Sequence, residues 1–335
     1  MKRTAFQLLL LCVMSGAKGQ DIHFSQFEFA PFQLNPALAG QFAGDYRFIL
    51  NQRTQWRSVT VPYSTVGFSA DARQPGNLKG VGAGLGIYHD RAGDSRFSHF
   101  QINGAGSLLL PLTADSLHNL AFGLQLGLTN QRIDYSALQY DNQWTGMVYD
   151  PGIDPAESFA RSARTYMNFH SGISYFYQPA TRKRILAGLS AFNLASPGQS
   201  FFDNDGVKLA VRYNIHLSAE YPLNDDWDIA VSAFRGSQAT YRETILGASG
   251  RYILMQRAGL YRTVFGGIYY RSKDAGYFLV GMEYDQWRAG VSYDINLSGL
   301  KPASRSRGGF ELSLQYILAM PQINPGYRRI CPDYI

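Results

Sequence analysis

Cysteine is almost missing from this chain, which has only Cys12 and Cys331. Cys12 falls in a leader-like stretch, so a processed chain keeps one thiol and an intrachain disulfide is excluded. Long apolar runs are missing as well. Beyond residue 19 no stretch of about 18 consecutive apolar residues occurs, which excludes a membrane-spanning helix. Metal and catalytic spacings are absent too. The six histidines, His23, His89, His99, His118, His170 and His216, show no H-x-x-x-H or H-E-x-x-H pattern, and there is no G-x-S-x-G elbow or phosphate loop. No catalytic residue, metal or cofactor is therefore expected, and an enzyme would need a Ser, Asp and His constellation that no motif marks. A large charge excess is missing too. The net charge of +6 includes Lys2, Arg3 and Lys18 of the leader, and losing those three halves it, so a nucleic-acid partner is not expected.

What is present begins with that leader. Lys2 and Arg3 precede an apolar run from Ala5 to Met14, and small residues end at Ala17-Lys18-Gly19 before Gln20. This predicts a secretory signal peptide over residues 1–19. A lipoprotein signal at Cys12 would need a small residue before it, where Leu9-Leu10-Leu11 stands.

Period-two alternation dominates the rest. Leu120, Phe122, Leu124, Leu126 and Leu128 alternate with Ala121, Gly123, Gln125, Gly127 and Thr129, giving one apolar and one small or polar face. The same holds from Leu209 to Ser218, from Trp287 to Leu297 and from Phe310 to Leu318. About fourteen such segments are expected, near 45–56, 63–72, 79–90, 97–110, 119–131, 165–178, 185–194, 209–221, 228–236, 240–253, 259–272, 276–285, 287–297 and 309–319. Many are long enough to cross a bilayer at a tilt. A lipid-embedded chain without a spanning helix must close its sheet, because hydrocarbon cannot satisfy an open edge. The richness in Tyr, Phe and Gly suits a wall apolar outside and polar inside. The fold class expected is therefore all-β, a transmembrane antiparallel barrel of about 14 strands. An even count puts both ends of the barrel on the periplasmic side, and the long connections near 132–164, 195–208 and 298–308 then all fall on the opposite face. Arg212, Asn214, His216, Arg288 and Asp294 take the lumen parity.

Two segments depart from plain strand. Gly80, Gly82, Gly84 and Gly86 share one face, which allows either a curved wall or the close approach of another segment inside the barrel. Residues 20–44 carry Pro31 and Pro36, each of which removes a ladder donor. Ser25, Gln26 and Asn35 need polar partners, so this segment is expected in or near the periplasmic mouth as a partial plug, with a disordered leader as the alternative. The division is then 1–19 signal, 20–44 plug, 45–319 barrel and 320–335 C-terminal tail. The acids Asp141, Asp150, Asp154 and Glu157 lack a calcium-loop spacing and read as solvated.

Three stretches carry a family resemblance. Gln20-Asp21-Ile22-His23-Phe24-Ser25-Gln26 and Leu34-Asn35-Pro36-Ala37-Leu38-Ala39-Gly40 resemble the mature N-terminus of the PorP/SprF family, membrane proteins of the type IX secretion and gliding apparatus. Arg53-Thr54-Gln55-Trp56 is similar to the family's R-x-Q-W, Tyr270-Arg271-Ser272-Lys273-Asp274-Ala275 to its Y-R-x-x-D-A, and Gly290-Val291-Ser292-Tyr293-Asp294 to its G-Y-S-Y-D. Gly308-Gly309-Phe310-Glu311 replaces an expected G-S-H-E, so no role of that histidine transfers. The ending Cys331-Pro332 is similar to that of many members.

The resemblance implies an outer-membrane barrel that holds a secreted cell-surface partner and contacts periplasmic secretion components, with outer-membrane lipid around it. The partner-binding or plug residues expected are Phe24, Ser25, Gln26, Asn35, Pro36 and Gly40. The family-motif barrel residues are Arg53, Gln55, Trp56, Tyr270, Arg271, Asp274, Tyr293 and Asp294. The alternative is a small-solute porin, which differs in needing an open lumen.

Overall fold

A computed structural model of the protein describes residues 21–57, 61–157, 160–202, 204, 206–257, 260–298 and 307–319. The expected signal peptide and the tail with Cys331 lie outside the described residues. The strands are β1 (Tyr46–Gln55), β2 (Tyr63–Arg73), β3 (Val81–Ala92), β4 (Phe97–Pro111), β5 (His118–Arg132), β6 (Ala163–Ala180), β7 (Lys183–Phe192), β8 (Arg212–Pro222), β9 (Trp227–Gln238), β10 (Tyr241–Arg257), β11 (Leu260–Arg271), β12 (Ala275–Tyr284), β13 (Trp287–Asn296) and β14 (Arg307–Leu318). Each pairs antiparallel with its sequence neighbour, and β1 pairs with β14 from Tyr46 opposite Leu318 to Thr54 opposite Phe310, closing a fourteen-stranded barrel. Closure removes both sheet edges, so no rim strand is left to seek partners in a solvent without water.

The alternation sets inside and outside. Leu124 is 57% exposed while its neighbour Gln125 is 1% exposed, and Leu126 and Leu128 continue the outer face. Aromatic residues border that apolar wall. Trp227, Tyr252, Tyr284 and Trp287 stand at the end where β1 begins, the proximal mouth, and Tyr213, Tyr270 and Tyr293 lie toward the opposite, distal mouth. No helix among the described residues is long and apolar enough to cross a membrane.

Connections sort by end. At the proximal mouth they are short, with 181–182 and 285–286 two residues each, and Asp285 takes the positive φ that a tight hairpin needs. The long connections 133–162 and 193–211 open at the distal mouth.

The lumen is less uniformly polar than alternation suggests. Ile245, Phe265, Tyr269, Tyr277 and Leu279 point inward and pack on Phe27, Phe29, Leu34 and Leu38 of the N-terminal segment. The barrel therefore has an apolar core, supplied half by its wall and half by the segment that fills it.

Candidate functional site: a segment threaded through the lumen

Residues 21–40 run the length of the barrel interior. The Asp21 amide donates to Gln238 Oε1 at the distal end of β9 (3.2 Å). Nineteen residues later the Gly40 amide donates to Asp71 Oδ2 near the proximal end of β2 (2.7 Å). The segment thus extends well beyond the proximal mouth, where the sequence had suggested a partial plug. Single helical turns at Phe27–Phe29, Pro31–Leu34 and Pro36–Leu38 compact it, and prolines open the last two, where a missing N–H costs nothing.

Its distal part is held by charge. The Glu311 carboxylate accepts from two consecutive backbone amides, Ser25 (2.8 Å) and Gln26 (2.9 Å), and from Arg53 Nη1 (2.8 Å). Asp294 Oδ2 accepts from Arg53 Nη2 (3.1 Å) and Arg271 Nη1 (3.2 Å). Arg271 also pairs with Glu243 (3.0 Å) and Asp274 (2.9 Å). The Ser25 hydroxyl donates to Asp294 and accepts from both guanidiniums, using its one donor and two lone pairs. Tyr277 donates to the Ser25 carbonyl (2.8 Å), and the Gln26 amide donates to Ser292 Oγ and the Glu311 carbonyl. Arg53 and Arg271 are essentially fully buried, so this knot persists only because each charge is met. His23 lies beside it. Burial pushes its imidazole below the usual value, Arg53 and Arg271 add to that shift, and Glu243 opposes it.

The proximal part is held by shape and neutral hydrogen bonds. Asn35 is extended, as expected before a proline; its Oδ1 caps the next turn through the Ala37 amide (2.9 Å). Its Nδ2 faces the Ile173 carbonyl and Ser174 Oγ, both at 3.0 Å. The wall here is glycine because nothing larger fits. A Cβ on Gly123 would lie 2.1 Å from the Ala37 nitrogen, one on Gly172 2.0 Å from Asn35 Oδ1, and one on Gly82 2.1 Å from the Ala39 carbonyl. Of the two readings of the β3 glycine stripe, close approach of another segment is the one observed. Gly40 has φ +69 and meets the Gly82 backbone, so it too admits no side chain. Arg47 pairs with Asp71 (2.7 Å) and donates to the Leu38 carbonyl (3.2 Å), closing the proximal end.

Ser25, Gln26, Arg53, Arg271, Asp274 and Asp294 therefore converge. Gln55, oriented with its oxygen toward Arg53, accepts from that guanidinium, and Phe24 packs among Ile22, Ala30 and Tyr88. Asn35, Pro36 and Gly40 form the separate proximal anchorage. Tyr270 (50% exposed) and Tyr293 (43%) face outward and are not part of the knot. Glu311, Glu243 and Tyr277 were not anticipated, although Glu311 sits on the lumen parity of a visibly alternating strand and an acid there requires a partner. Above the knot a cavity of about 330 Å³ opens at the distal mouth, lined by Gln55, Trp56, Glu243, Arg271, Asp274 and Arg307 among others. Among the described residues no cluster of His, Cys, Asp or Glu could hold a metal.

Residues 16–316 match the model of the PorP/SprF family, described as type IX secretion system membrane proteins. No curated protein matches the chain in sequence. Among solved structures it is similar to the Ralstonia pickettii toluene transporter TbuX, at 13% identity and a TM-score of 0.52 over 85% of this chain and 92% of that one. It is likewise similar to the Pseudomonas putida toluene transporter TodX, at 12% identity and a TM-score of 0.50 over 90% and 95% of the two chains. At such identities the likeness is one of fold.

Proposed function

The chain belongs to the PorP/SprF family of type IX secretion system membrane proteins and resides in the outer membrane, and from that premise we propose that it holds a secreted partner protein at the cell surface while its periplasmic side meets other secretion components. The observation that carries this reading is the filled lumen. Residues 21–40 occupy the interior from one mouth to the other, anchored by a buried charged knot at one end and by glycine-lined contacts at the other. A barrel so filled is built to present surfaces at its two ends. The distal end offers the cavity above the knot and the connections 133–162 and 193–211 to a partner outside the cell. In cells lacking residues 24–40 the barrel is expected to insert and stay heat-modifiable on gels, while the secreted partner is released to the medium. Partner retention by that variant would remove the segment from the function, and loss of insertion would make it a folding element.

A second reading, passage of a small apolar solute, is favoured by one feature. A pocket of about 40 Å³ lies between the segment and the β8–β10 wall, lined by Ile22, Phe24, Phe27, Leu34 and Phe234. Uptake of an aromatic hydrocarbon by proteoliposomes would favour it, and an open-pore conductance in planar bilayers would favour the porin alternative.

A further inference from the structure

Arginine on the lipid-facing parity of a barrel strand is costly near the midplane and is tolerated toward an interface, where it reaches polar headgroups. At the distal mouth two such arginines sit together. Arg235 on β9 and Arg242 on β10 are both exposed and alternate with the inward Phe234, Gly236 and Glu243. In the register Arg235 opposes Thr244, and Arg242 opposes Ser237. The two arginines are therefore diagonal neighbours across one strand pair, about 7 Å apart at their Cβ atoms. The apolar band begins immediately below them. Arg235 opposes Ile215 on its other side, and Leu217 and Leu246, two residues further along their strands, are about half exposed.

Neither side chain forms an ion pair, hydrogen bond or ring contact among the described residues, and no acid shares their face on β8–β11 at this height. The lipid-facing cations near the proximal mouth are different. Arg262 pairs with Asp285 and lies over the Tyr284 ring, and the Lys183 ammonium lies over Tyr221. Arg91 and Arg132, flanking Ser98 in register, add two more outward arginines at the distal mouth.

We infer that Arg235 and Arg242 form a binding site for the phosphate of a membrane lipid in the leaflet at the distal mouth. Two guanidiniums at this spacing close on one phosphate from two sides, with the Thr244 hydroxyl between them as a further donor. The acyl chains of that lipid lie along Ile215, Leu217 and Leu246, so the contact continues the apolar wall. A phosphate supplies the charge that the protein itself withholds from these two side chains.

The test uses the full-length protein extracted from outer membrane in mild detergent and examined by native mass spectrometry for retained phospholipid and phosphorylated glycolipid. Wild type is expected to carry bound phosphorylated lipid. R235Q/R242Q is expected to retain it at least about fivefold less, and R262Q to retain it as wild type does. Heat-modifiability on gels establishes that each variant is folded. Reconstitution into nanodiscs of phosphatidylcholine with a minority of phosphatidylglycerol supplies a second readout, since wild type should enrich the anionic lipid around itself and the double variant should not. Equal lipid retention by wild type and the double variant, or an equal loss from R262Q, overturns the site.

Discussion

The two anchorages of the lumen segment use opposite physics for one task. At the distal end, Ser25 and Gln26 are gripped by two buried arginines and four carboxylates, of which only Asp274 is substantially exposed. At the proximal end, Asn35 to Gly40 is seated against Gly82, Gly123 and Gly172 with backbone carbonyls as acceptors, and a single ion pair, Arg47 with Asp71, closes it. A charged knot gains strength from burial only while complete, because one missing partner leaves an unmet charge in a dry interior. A glycine seat fails differently. It is insensitive to salt or protonation and intolerant of any added atom. The segment is thus conditional at the distal mouth, next to the cavity and the long connections, and unconditional at the proximal mouth, where the chain enters β1.

Breaking the knot should have the largest effect. Arg53→Met removes the cation shared by Asp294, Glu311 and Ser25 and is expected to cost about 3–5 kcal/mol, read as the urea midpoint of the gel-shift transition. If the anchorages are independent, the loss of order should stop at the distal part, and protease sites should appear around residues 21–26 while 35–40 stays resistant. Cleavage throughout the segment would merge the two anchorages into one unit.

Gly123→Val tests the other side of the comparison. Its Cβ would meet the Ala37 nitrogen at 2.1 Å, which is backbone and cannot swing away, so about 1–3 kcal/mol of overpacking is expected. The shift should be the same at low and high salt. A salt-dependent shift would show that the proximal seat also rests on charge.

The smallest effect expected is a pH dependence confined to the distal end. The docked segment holds His23 below its ordinary value, so the undocked form binds the extra proton. Docking stability from this group is complete above about pH 6.5 and declines as pH falls toward the lowered value. Tyr241, Glu243, Arg53 and Arg271 face this imidazole, and of these Glu243 opposes the shift. Proteinase K cleavage around residue 23 is expected to rise between about pH 7.5 and about pH 5.5 in wild type and to stay flat in His23→Gln. An unchanged rise in His23→Gln would assign the effect to the carboxylates.

Much of this was legible in sequence, for reasons that also explain the rest. Period two fixes parity, so the inward Gln125 and Asp294 and the outward Leu124 follow without knowing the partner strands. Parity also separates Arg271 from its neighbour Tyr270, and Tyr293 from Asp294, since adjacent residues cannot face the same side. The meeting of Arg53 with Glu311 was not legible, because it depends on where β14 closes on β1, and that of Arg271 with Glu243 depends likewise on the register of β10 against β11. The path of residues 21–40 was hidden for a related reason. Its turns carry no period, and its prolines exclude strand without giving a direction. The β3 glycines allowed something to lie against the wall, but they allowed an empty curved wall equally well.

The central claim, that residues 21–40 fill the lumen from mouth to mouth, is tested most directly by hydrogen–deuterium exchange on the wild-type protein in outer-membrane vesicles. The amides of Ser25 and Gln26, bonded to Glu311, and of Ala37, bonded to Asn35, should exchange as slowly as those of β5. Complete exchange of these amides at the earliest time point, with β5 still protected, would contradict the account.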